Sequence, residues 1–178
     1  MTAGFLRDAA ATAAIFGFFA SAWFGWAQDE PPPAWRKALV AGSILSLLTA
    51  VGGGVMTWRN WSGPTAFDAD TSRTFGLVVG VEVALAAIGA AVLARRRSSE
   101  LIPAWVALVV GVHLIPVALL VRSPLIAVTG VLVTLVALVA VPLARSRPVA
   151  VSAVTGLGAG TVLLAAALWS LASALLWP

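Results

Sequence analysis

The chain has 178 residues, of which 61% are hydrophobic and only 10% are charged, with a mean hydropathy of +1.01. Apolar runs long enough to cross a bilayer take up nearly all of it, which predicts an integral membrane protein without a soluble domain. The formal net charge of +4 comes from basic residues spread over short connections, a pattern typical of topology signals and not of nucleic-acid binding. Because the chain has no cysteine, disulfides, thiolate catalysis and Cys-based metal sites are excluded.

Six apolar segments predict an all-α fold, with six transmembrane helices packed in a compact bundle that forms one domain over residues 1–178. A transmembrane barrel is disfavoured, since the runs do not alternate apolar and polar residues. The predicted helices cover about 9–27, 38–58, 75–94, 101–121, 125–144 and 149–177. Lys and Arg number seven on the side of the first, third and fifth loops and four on the other, which predicts that both termini lie outside the cytoplasm.

Helix one carries an aromatic face, with Phe16, Phe19, Trp23 and Trp26 at helical spacing. Aromatic rings beside a carboxylate would suit a lipophilic cation through cation–π attraction, so these residues are candidates to line a binding site. Contact with lipid or packing between helices explains the same stripe. Both interpretations remain open at this point.

Helix two carries small and polar residues on one face, including the hydroxyl residues Ser46 and Thr49. Lining a polar cavity is one interpretation, and Ser46 and Thr49 are therefore candidate secondary contributors to a site. Close helix packing is the other, because small residues let helices approach and hydroxyls bond carbonyl oxygens.

Helix three contains Glu82, a carboxylate in the middle of an apolar run, and such a group is costly in hydrocarbon unless it has a partner or a function. His113 lies at a matching position in helix four, so the two side chains could meet across the interface and exchange a proton. Arg122, at the end of helix four, is the third ionisable candidate. The small-residue strip that begins with Gly76 and Gly80 lies about 200° from Glu82 around helix three.

This strip has an echo 80 residues later, where Gly156 and Gly160 occupy corresponding positions in helix six. If the echo is a true repeat, the protein consists of two inverted halves of three helices, as in several transporters. If it is not, two packing helices rich in small residues have converged on similar sequences. The counterpart of Glu82 in helix six is Val162.

The sequence predicts no catalytic residues, metal ligands or cofactor, since one His and one central Glu cannot supply a zinc site or a catalytic triad. We expect a small transporter or channel-like protein, coupled to protons or cations through Glu82 and His113, with the lipid bilayer and a small cationic ligand or proton as partners. The alternative is a non-catalytic scaffold or accessory subunit in which the pair is a structural hydrogen bond. A homodimer is compatible with the small-residue faces.

Gly111-x-His113-x-x-Pro116, together with the tryptophan-rich six-helix layout, resembles small bacterial polytopic membrane proteins. This resemblance implies a location in the cytoplasmic (inner) membrane and no particular activity. The surroundings of Glu82, with Gly80 before it, are also similar to the membrane-embedded glutamate region of small multidrug transporters. Those transporters have four helices and carry the glutamate in the first.

Overall fold

The computed structural model describes residues 4–177, which form six α-helices and no strand. The helices are α1 (Leu6–Trp26), α2 (Arg36–Arg59), α3 (Ala69–Arg95), α4 (Ile102–Leu120), α5 (Pro124–Arg145) and α6 (Val151–Leu175). Single 3₁₀ turns at Pro33–Trp35 and Ser99–Leu101 lead directly into α2 and α4. All six helices are long and apolar enough to cross a membrane, which confirms the predicted all-α, six-helix fold.

The predicted boundaries fall within three residues of the observed ones, except that α3 begins six residues earlier than its apolar run. Its first turns are polar, so a prediction based on apolar runs does not include them. The Asp68 side chain caps this extension, because its Oδ1 accepts a hydrogen bond of 2.7 Å from the backbone N–H of Thr71. The capping residue, and not the apolar run, sets where the helix begins.

Glycines bring α1 into close contact with both α2 and α6. A Cβ atom at Gly53 would lie 2.6 Å from the backbone nitrogen of Ala14, and one at Gly156 would lie 2.5 Å from the carbonyl oxygen of Trp23. Only glycine allows the backbones to approach this closely. Apolar side chains are solvated by lipid tails about as favourably as by the side chains of another helix. Membrane helices are therefore held together mainly by close packing of this kind.

The other half of the bundle uses the same device, with α4 and α5 meeting at Gly111 and Gly130. A Cβ atom at Gly130 would lie 2.8 Å from the carbonyl oxygen of Gly111. Side chains from α1, α4, α5 and α6 then close a common core, represented by Trp23, Leu114 and Val133. The centre of the bundle therefore consists of these four helices, with α2 packed on α1 and α6.

Helix α3 lies at the edge of the bundle. It packs against α4, and none of its residues is buried by the part of the chain that the structure describes. A Cβ atom added at Gly76 or Gly80 would meet no other atom within 4 Å, so this small-residue strip faces outward. The face toward α4 carries Phe75 and Val78, which pack on the core.

The connection between α2 and α3 is tied to the start of α1. The carboxylate of Asp8 accepts hydrogen bonds from the Thr65 hydroxyl (2.6 Å) and the backbone N–H of Ala66 (2.7 Å). Arg7 donates to the carbonyl oxygen of Trp61 at 2.8 Å and lies over its ring, 4.4 Å from the centroid. These contacts fix where α3 enters the bundle.

Candidate functional site

Glu82 and His113 are in contact at the interface of α3 and α4. The Oε1 atom of Glu82 lies 3.2 Å from the Nδ1 atom of His113, and each side chain is only 16% exposed. Glu82 lies on the α3 face that packs on α4, opposite the outward strip, because residues three or four apart share one face of a helix. The contact between Glu82 and His113, which their matching positions in consecutive helices suggested, is therefore present.

The neighbouring Trp105 holds α3 against α4 one to two turns from the pair. Its indole nitrogen donates a hydrogen bond of 3.2 Å to the carbonyl oxygen of Leu85, and its ring occupies the space that a side chain at Gly89 would need. A residue larger than glycine at this position would push the two helices apart. Gly89 and Trp105 thus place α3 at the distance at which Glu82 reaches His113.

The hydrogen bonds of His113 define which of its nitrogens carries a proton. Its Nδ1 atom lies 2.9 Å from the carbonyl oxygen of Val110, which is only an acceptor, so Nδ1 carries the proton and donates it. This N–H is shared with Glu82 Oε1 at 3.2 Å. In the neutral ring Nε2 is then an acceptor. Among the described residues, neither Nε2 nor the second carboxylate oxygen, Oε2, makes a hydrogen bond.

The pair lies in a groove of about 520 Å³ between α3 and α4. Apart from Glu82 and His113, its lining consists of apolar side chains: Leu77, Val78, Val81, Leu85, Trp105, Leu108, Val109, Val112 and Pro116. Several of them, including Leu77 and Val81, are more than half exposed and face the outside of the bundle. The groove is therefore accessible from the side of the bundle, near the middle of both helices.

A second cavity, of about 540 Å³, lies at one end of the bundle among the loops that follow α1, α3 and α5. Its lining includes the charged residues Asp29, Glu30, Glu100 and Arg145. It shares no lining residue with the groove between α3 and α4. The polar cavity and the site of the Glu82–His113 pair are thus separate features.

Ser46 and Thr49 do not contribute to this groove. Both are buried on α2, where their hydroxyls donate to the carbonyl oxygens of Gly42 (2.7 Å) and Leu45 (2.8 Å) in the same helix. The carbonyl oxygen of Ser46 faces Gly17 of α1, and α2 makes no substantial contact with α3 in the described chain. The packing interpretation of the polar stripe matches this arrangement.

The aromatic residues of helix one also lie elsewhere. Phe16 and Trp23 are buried in the core, Trp26 stacks on Trp23 with ring centroids 5.3 Å apart, and Phe19 is half exposed on the outside of the bundle. None of them lines the groove beside Glu82, where Trp105 is the aromatic residue. The helical spacing predicted a shared face of α1, but Phe16 and Trp23 are buried while Phe19 is half exposed.

Arg122 lies beyond the last turn of α4, exposed, with a left-handed backbone (φ 52°). The next backbone N–H, that of Ser123, closes the helix end by donating to the carbonyl oxygen of Ala118 at 3.0 Å. Arg122 lies nine positions after His113, which corresponds to about 13.5 Å along a helix. Arg122 therefore belongs to the tight turn between α4 and α5 and not to the pair.

Sequence reasoning missed Trp105 and Gly89 as the residues that position the site. Trp105 lies near a helix start, a position typical of tryptophans at the membrane interface, and that position says nothing about the helix its ring covers. Comparisons with protein-family models, curated proteins and solved structures found no match. A helical bundle alone does not define a function, which depends on the residues of the site that the bundle carries.

Proposed function

We propose that this protein is a small transporter or channel-like protein of the cytoplasmic membrane, coupled to protons or cations through Glu82 and His113. The observation that carries the proposal is the 3.2 Å contact between the two side chains near the middle of two spans. Ionisable groups at such positions are rare, and they commonly mark proton relays and ion pathways. The distribution of Lys and Arg supports termini outside the cytoplasm.

The proposed chemistry is the exchange of one proton at the pair. A carboxylate and an imidazole that share a hydrogen bond titrate as a unit, so the proton taken up belongs to both groups. A bound cation would compete with that proton for the carboxylate. No catalytic role, cofactor or metal is part of the proposal.

Proton exchange by the purified protein tests this function. Wild type in weakly buffered detergent solution should take up and release protons across the neutral pH range in excess of Glu82→Gln, and Glu82→Gln should remain folded. Asp70→Asn is the matched control, because it removes an exposed carboxylate from the same helix. If wild type and Glu82→Gln bind equal numbers of protons across that neutral range, the proposed function is wrong.

A membrane scaffold is the second candidate, and the peripheral position of α3 favours it. A helix without buried residues gains little from packing, so a polar contact to α4 would help to attach it. Such interhelical hydrogen bonds contribute about 0.6 kcal/mol on average. A double-mutant cycle with Glu82→Gln and His113→Leu, measured by thermal unfolding, gives this coupling. The scaffold interpretation requires a measurable coupling together with no proton exchange in wild type.

A further inference from the structure

We propose that the groove between α3 and α4 binds an amphipathic amine, a ligand with a hydrocarbon body and a protonated amino head, which enters from the acyl-chain region of the bilayer. This inference rests on the proposed function and names its ligand class. Three features of the groove carry it: its apolar walls, its single acidic group, and the two acceptor atoms that the pair leaves without partners.

The walls select a ligand that is already dissolved in the membrane. Nine of the eleven described lining residues are apolar, and the groove extends for about two turns along α3 and about three turns along α4. Its rim is formed by side chains that face outward, and it shares no residue with the polar cavity at the end of the bundle. A hydrocarbon body would replace lipid in this groove at little cost, whereas a hydrophilic ion would have to leave its water behind.

The carboxylate selects a positive charge. Among the described residues that line the groove, Glu82 is the acidic one and none is lysine or arginine. In a medium of low dielectric constant an anion would be repelled, and a cation would be attracted more strongly than in water. The indole of Trp105 closes one end of the groove and carries no charge that would oppose a cation.

The free acceptors select an amine over a cation that lacks N–H groups. Because Val110 and Glu82 share the Nδ1 proton of His113, the neutral imidazole offers Nε2 as an acceptor, and Glu82 offers Oε2. A primary ammonium group has three N–H donors and can satisfy both atoms. When Glu82 carries a proton before binding, that proton is released to solvent as the ammonium ion takes its place, so charge is conserved.

Three probes with the same hydrocarbon chain test these features: octylamine, octyltrimethylammonium and octanoate, each radiolabelled and measured on immobilised protein in detergent. Octylamine should bind saturably, and at least about tenfold more tightly than octyltrimethylammonium, which cannot donate hydrogen bonds. Octanoate should not bind above background. Glu82→Gln should weaken octylamine by at least tenfold, and binding by wild type should weaken at pH values where the pair is protonated.

A matched pair of variants tests whether the groove itself is the site. Val81 and Val83 are both 60% exposed on α3, but only Val81 lines the groove. Val81→Trp should abolish octylamine binding, whereas Val83→Trp should leave both octylamine binding and proton exchange unchanged. Leu77→Trp, at another exposed position of the rim, provides a second block should Val81→Trp fail to fold.

The outcomes separate this inference from the function on which it rests. If wild type exchanges protons but octylamine binds no more tightly than octyltrimethylammonium, or binds equally to Val81→Trp and Val83→Trp, the amine site is wrong and the proposed function stands. If wild type exchanges no protons through Glu82, the proposed function fails whatever the amine does.

Discussion

Helices α3 and α6 carry the same small-residue pattern, yet they occupy opposite environments. In α6, Gly156 contacts the backbone of α1 and Gly160 contacts the Phe24 ring, and the helix packs against α1, α2, α4 and α5. In α3, Gly76 and Gly80 face outward with open space around them. The echo therefore does not correspond to equivalent packing in the two halves.

This difference shows that a glycine spacing permits close contact but does not create it. In a bilayer the hydrophobic effect does not drive helices together. A face of small residues therefore stays exposed unless the fold places a complementary helix surface against it. In α6 the glycine face is covered by α1. In α3 the neighbouring helix, α4, contacts the face of Glu82 and leaves the glycine face open. Val162, the counterpart of Glu82 in α6, packs on the core.

The largest expected effect on stability comes from replacing the corresponding glycines of α6 and α3 with a larger residue. Gly156→Leu should lower the free energy of unfolding by about 3 kcal/mol or more, because backbone atoms of α1 block the new side chain. Gly76→Leu should change it by no more than about 0.5 kcal/mol. Thermal unfolding in detergent measures both. Equal destabilisation would contradict the comparison, and loss of a dimer on Gly76→Leu would show that a second copy covers the strip.

Removal of one tryptophan should affect the attachment of α3 more strongly than that of α6. Trp105→Ala should cost about 2 kcal/mol, less than a fully buried ring, and should detach α3 from α4. Trp169→Ala on α6 is the control, since that ring is 59% exposed and should contribute little. Thermal unfolding, together with the rate of proteolysis in the connections that flank α3, measures the effect. If both variants lose equal stability, Trp105 does not hold α3 in place.

The smallest expected effect is a pH dependence confined to the start of α3. The N–H of Thr71 donates to the Asp68 carboxylate and holds its pKa below the ordinary value. The cap therefore stabilises the helix at pH values above that ordinary pKa, and the contribution is lost as the pH falls through the lowered pKa.

Melting temperatures of wild type and Asp68→Ala, taken from neutral to acidic pH, measure this contribution. The difference between the two proteins should shrink on acidification. The N-cap residue of α6 is Ala150, which makes no side-chain cap, so Ala150→Gly should show no such trend. A constant difference for Asp68→Ala across the range would exclude a role for the charged cap.

Much of the architecture could be predicted because apolar length alone specifies a spanning helix. The positions of Glu82 and His113 in consecutive spans also suggested their contact, since antiparallel neighbours place mid-helix residues at one depth. Ser46, Thr49 and Phe16 were harder to place, because a stripe shows which residues share a face but not which helix that face meets. Trp105 carried no signal of its role beyond its position near a helix end.

The sequence by itself determined the number of apolar spans, their approximate ends and the presence of an acid in the middle of one of them, because all of these follow from the cost of placing polar groups in hydrocarbon. The tertiary structure decided which helices are central, which glycines are covered and what surrounds Glu82. Those features depend on contacts between residues distant in the chain, where Gly89 and Trp105 set the spacing of α3 and α4. Periodicity along one helix contains no information about that distance.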